Sequence, residues 1–158
     1  MIGRLLLGAA GAAVLAGMVA TAQAKSAGSP LGALQLNGHW VCTQTPEGGT
    51  FSEDWAPMFH GLWLRATDSA KGTVTAEHTV SYNKASSTWV VLDAFATGSY
   101  DVLHATTSSP ALIAFHAVYP QQVLSVTFNR VSPKRYTIDV NGNVEGKKVQ
   151  AHNDCTKQ

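Results

Sequence analysis

From Gly38 onward, hydrophobic and polar positions alternate with a period of two in short runs, and no stretch keeps the 3.6-residue repeat of an amphipathic helix. The clearest case is "TVTAEHTVSY", where Val74, Ala76, His78, Val80 and Tyr82 share one face and Thr73, Thr75, Glu77, Thr79 and Ser81 share the other. Leu124, Val126 and Phe128 form a second such face, and Tyr136, Ile138 and Val140 form a third in the hairpin partner. The pattern predicts strands over residues 39–45, 50–56, 62–67, 73–83, 87–95, 99–106, 111–119, 122–130, 135–140 and 147–154. Between them, "PEGG" and "NGN" supply residues that tolerate positive φ, and "NKASS", "TTSSP" and "SPK" are polar breaks.

Links this short join antiparallel neighbours, because parallel strands need long crossovers that are usually helical. The expected architecture is therefore all-β, a single antiparallel up-and-down β-barrel of about 8–10 strands, with a β-sandwich as the alternative. The two cysteines bear on that choice. Cys42 lies on the first predicted strand and Cys155 lies beside the last. A bond between them requires the two ends of the meander to be neighbours, as they are in a closed barrel.

The pairing is itself an inference from compartment. "MIGR" carries one positive charge, "LLLGAAGAAVLAGMVA" is apolar, and "AQA" ending at Ala24 is a small-x-small cleavage signal. Residues 1–24 thus read as a signal peptide, with a retained membrane anchor as the alternative, and the mature chain is expected to start at Lys25 and to be periplasmic or secreted with no stable membrane insertion. In an oxidising compartment two cysteines pair, although zinc binding and free or intermolecular thiols are competing uses. Residues 25–36 are small and polar enough to suggest a flexible lead-in, leaving 37–158 as the barrel domain. The chain has 11 basic and 10 acidic residues without a basic cluster, which argues against nucleic acid as a partner. No oligomeric state is read from the pattern.

"LNGHW" resembles the G-x-W motif of the first strand of lipocalins, with Gly38 and Trp40 in the matching positions. The resemblance implies a calycin-type barrel with Trp40 at its closed base, packed against a late arginine, for which Arg130 in "FNRVSP" is the nearest candidate. It extends to small exported bacterial proteins of unassigned function, through the paired aromatics of "FSEDWAPMFHGLWLRATD".

Catalytic chemistry finds no footing. A G-x-S-x-G elbow and a phosphate-cradling loop are both absent, so no enzyme activity or cofactor is expected. Glu53 and Asp54 are adjacent, point to opposite faces of a strand, and read as exposed charge rather than an acid/base pair. The six histidines show neither H-x-H nor H-x-x-x-H spacing, and no metal is assigned. His104 and His116 face each other only if their hairpin is centred on Pro110, whereas a turn on "TTSSP" pairs His104 near Ile113. The candidate ligand contacts are Phe51, Trp55, Trp63, Tyr82 and Trp89, which are core filler on the alternative reading, together with His78, whose parity points inward. Two functions follow: a non-enzymatic binder or carrier of a small apolar molecule, or a fully packed barrel serving as a protein-interaction or cell-envelope module.

Overall fold

The computed structural model describes residues 30–105, 108–109, 111–144 and 146–158. The signal peptide and cleavage site read from the sequence lie outside these residues. A short helix, α1 (Pro30–Leu34), precedes β1 (Gly38–Thr45), β2 (Thr50–Met58), β3 (Trp63–Ala70), β4 (Thr73–Asn83), β5 (Thr88–Phe95), β6 (Tyr100–Ala105), the two-residue β7 (Ser108–Ser109), β8 (Leu112–Tyr119), β9 (Val123–Ser132), β10 (Arg135–Val144) and β11 (Lys147–Lys157). Each of the ten predicted segments falls within or across one of the ten long strands.

Every long strand pairs antiparallel with its neighbour in sequence, β6 joins β8 directly, and β11 pairs with β1, so the meander closes on itself. This is the expected up-and-down barrel and not a sandwich. At the closing seam Cys42 stands opposite Cys155, and the two form a disulfide across 113 positions of sequence with Cα atoms 4.0 Å apart. The bond ties the first strand to the last, which is where a meander barrel has no turn to hold its edges together.

Because strands alternate in direction, the chain has a base, carrying Gly38, Asn83, Thr88, Ser132 and Lys157, and an opposite mouth carrying the turns after β1, β3, β5, β8 and β10. The base is plugged by the segment that reads as a flexible lead-in: residues 30–36 place Leu31, Leu34 and Leu36 in the core. Leu31 and Leu34, three positions apart, share one side of α1, and Gln35, with φ of +52°, redirects the chain so that Leu36 also enters the core; burying three leucine side chains outweighs the polarity of the residues around them. Trp40 is 1% exposed, donates its indole N–H to the Leu36 carbonyl and packs edge-on against Tyr136 at 4.7 Å.

The lipocalin-like expectation needs one correction here. Lys157, not Arg130, is the cation over the Trp40 ring, at 5.4 Å. Arg130 instead donates to the Ala33 carbonyl and the Gln35 side chain, holding α1 down from the β9 side. Gly38 is required by its φ of +121°, and a Cβ there would also press on the end of the Lys157 side chain, 2.9 Å from its Cε.

Two further details differ from the sequence pattern. "NGN" is not a turn, because β10 runs straight through it and the turn comes at Gly146. Gly142 is there for closeness, since a Cβ would lie 2.1 Å from the Val123 carbonyl oxygen. Val74 leaves the apolar face of β4 and is 49% exposed, because a register shift opposite Asp68 and Ser69 inserts Thr75 and turns the end of the strand around.

Candidate functional site

Ten strands enclose more room than their inward side chains fill, particularly where Ala70, Ala76 and Ala151 project only a methyl group. The result is a cavity of about 590 Å³ running from Leu34 and Leu36 at the base to Gln44, Gly49 and Thr50 at the mouth. The barrel is therefore not fully packed, which removes the observation on which the interaction-module alternative rests.

The cavity has two unlike walls. Strands β8, β9 and β10 contribute Ile113, Phe115, Leu124, Val126, Phe128, Ile138, Val140 and Val144, an unbroken apolar surface. Strands β2 to β6 contribute Glu53, Asp68, His78, Asp93 and Asp101, each set among apolar or small neighbours, and Asn153 joins them from β11. Parity explains each placement: Glu53 lies between the inward Phe51 and Trp55, Asp68 follows Leu64 and Ala66, and Asp93 follows Trp89 and Val91.

His78 sits at the centre of the polar wall, with its side chain 20% exposed. Its Nε2 lies 2.9 Å from Asp68 Oδ2 on β3 and its Nδ1 lies 2.6 Å from Asp93 Oδ1 on β5, so both ring nitrogens are satisfied by neighbouring strands. Burial alone would disfavour the charged ring, but hydrogen bonds and charge from Asp68 and Asp93 outweigh it and hold the imidazole pKa well above its ordinary value. With both partners as carboxylates, the ring is a charged double donor.

A second cluster lies deeper. Glu53 is 3% exposed and accepts hydrogen bonds from the Trp55 indole N–H at 2.8 Å and from the Tyr136 hydroxyl. Burial first, and then the Asp68 charge, raises the Glu53 pKa to about 7 against the opposing hydrogen bonds. Burial and then the Glu53 carboxylate push the Tyr136 hydroxyl well above its usual value. Asp101 is raised as well, by burial and then by Asp93.

The expectation that Glu53 is exposed charge is thus overturned, while Asp54 is exposed and meets His39 on the outer surface at 2.7 Å. The signal for Glu53 was present in its shared parity with Phe51 and Trp55. Of the candidate ligand contacts, Phe51, Trp55 and His78 line the cavity. Tyr82 and Trp89 face inward but pack edge-on against each other at 5.0 Å toward the base, where Trp89 is 1% exposed, and neither lines the cavity. Trp63 lies on the outer face of β3, because Leu64, Ala66 and Asp68 take the inward positions of that strand.

His104 and His116 are register partners, as a hairpin centred on Pro110 requires. They alternate with the buried Leu103, Ala105 and Phe115, which places both on the outside of the barrel. Among the described residues, the grouping with metal-ligand proximity is Cys42, Glu53 and Cys155, and its two sulfurs are committed to the disulfide.

No family model and no curated protein matches the chain. Among solved structures it is similar to EF1p2_mFAP2b bound to DFHBI, at 15% identity and a TM-score of 0.37, over 82% of this chain and 99% of that one.

Proposed function

We propose that the protein is a non-catalytic binder or carrier of a small, largely apolar molecule held inside the barrel. The observation that carries this reading is the cavity of about 590 Å³ with a continuous wall of aliphatic and phenylalanine side chains. That volume falls in the range of about 300–1,000 Å³ occupied by small-molecule sites, and the few polar groups on one wall are of the kind that orient a ligand. Export belongs to the same proposal: the leader-like sequence and the Cys42–Cys155 disulfide both suit an oxidising compartment outside the cytoplasm.

Titration of the purified chain with Nile red, a neutral apolar dye, tests the reading. Saturable one-site binding with a blue-shifted emission is expected, and Ala151→Trp, which places an indole in the cavity, should abolish it while circular dichroism stays unchanged. A folded protein that gives no saturable signal with the dye overturns the proposal.

A further inference from the structure

We propose that the cavity takes an organic ammonium ion, an amine whose N–H donors meet Asp68 on the polar wall while its apolar body lies against β8, β9 and β10. The inference rests on the binding role proposed above and specifies the chemistry of the ligand. Its starting point is an imbalance between donors and acceptors. Asp68 is 8% exposed, and although its Oδ2 is used by His78, its Oδ1 has no protein partner. Asn153 Oδ1, facing the same cavity from β11, is likewise a buried acceptor without a protein partner.

The donors of His78, Trp55, Tyr136 and Thr75 are by contrast engaged. Both nitrogens of His78 are bound by carboxylates, the Trp55 indole and the Tyr136 hydroxyl point at Glu53, and the Thr75 hydroxyl reaches the Asp68 carbonyl. Among the described residues, no lysine or arginine lines the cavity.

Charge points the same way. Asp68 and Asp93 share a single imidazolium, which leaves one negative charge uncompensated, and Asp101 closer to the mouth and the ionised fraction of Glu53 add to it. A buried carboxylate oxygen without a donor is costly, and a ligand N–H⁺ removes that cost while neutralising the excess charge. A carboxylate ligand such as a fatty acid would meet the same groups with repulsion, and an alcohol could satisfy Asp68 Oδ1 without answering the charge.

A set of ligands differing only in the head group distinguishes these cases. Decylammonium, decanol and decanoate are each titrated against the Nile red complex of the unmodified protein at neutral pH, with decyltrimethylammonium as a cation that has no N–H. Decylammonium is expected to displace the dye at least ten-fold more tightly than decanol, decyltrimethylammonium to fall between them, and decanoate to be weakest. Asp68→Asn should bring decylammonium and decanol to within about two-fold of each other, with Nile red affinity as the check that the cavity is intact. If that variant does not fold, Asp101→Asn serves in its place and should narrow the same gap. Equal or tighter binding of decanol or decanoate by the unmodified protein overturns the ammonium inference and leaves the binding role standing. Loss of binding by all four ligands and by the dye overturns both.

Discussion

Replacing Glu53 with glutamine should make the protein more stable at alkaline pH and leave it unchanged at acid pH. The carboxyl is buried beside Asp68, and its folded pKa is about 7 against an ordinary value of 4.5. A folded pKa above the unfolded one means that the native state binds the proton more tightly, so the unfolded state carries fewer protons and stability falls as pH rises. Below 4.5 both states are protonated and there is no cost. Between 4.5 and about 7 the cost grows, and above that range it is constant. At roughly 1.4 kcal/mol per pKa unit the full cost is about 3 kcal/mol. Glutamine keeps a carbonyl oxygen that accepts from the Trp55 indole and the Tyr136 hydroxyl, so the hydrogen bonds are preserved while the buried charge is removed.

The assay is thermal unfolding of both proteins at a series of pH values, with the difference taken at each pH so that other titrating groups cancel. The variant should melt with the native protein at pH 4 and about 10 °C above it at pH 8. A constant difference across the range, or a variant less stable at pH 8, would refute the buried, charge-penalised placement of Glu53.

Changing His78 to Ala leaves Asp68 and Asp93 facing each other without a cation and should cost about 3–5 kcal/mol whether or not a ligand is added, read by chemical denaturation. Because the His78 pKa is raised in the folded state, its stabilising contribution is complete below 6.5 and is lost as pH rises through the folded value, so the deficit should narrow in alkaline solution. Replacing Cys42 and Cys155 together by alanine should lower stability by about 2–5 kcal/mol, measured against the oxidised parent, and leave a barrel whose β1–β11 amides exchange faster with solvent deuterium. Gly142→Ala forces a methyl group onto the Val123 carbonyl and should cost about 1–3 kcal/mol, whereas Gly49→Ala, with open space around it, should change the melting temperature by little.

The residues that give the interior its chemistry were only partly legible. His78 announced itself as a histidine on an apolar face, and its inward direction follows from alternation alone. Glu53, Asp68 and Asp93 obey the same alternation, but a single carboxylate in a strand is ordinarily a surface group, and nothing local to "FSEDW", "RATDS" or "VLDAF" says that a partner waits across the sheet. Trp63 misled for the opposite reason: an aromatic side chain suggests burial, yet its position between Leu62 and Leu64 leaves the face undecided until the register with β2 and β4 is known.

Alternation along the chain determined the strands, their antiparallel order and the inward direction of most side chains, because these depend on neighbours a few residues apart. The positions of the two cysteines added the one long-range fact available, that the ends of the meander meet. Tertiary structure alone decided that ten strands enclose a cavity, that Tyr136 reaches Glu53 from 83 positions away, that His78 stands between Asp68 and Asp93, and that Gly142 must lack a Cβ. Each of these depends on the number of strands in the ring and on how each strand is shifted against the next, and a one-residue slip at any of those pairings would turn a strand's inward side chains outward without changing its local pattern.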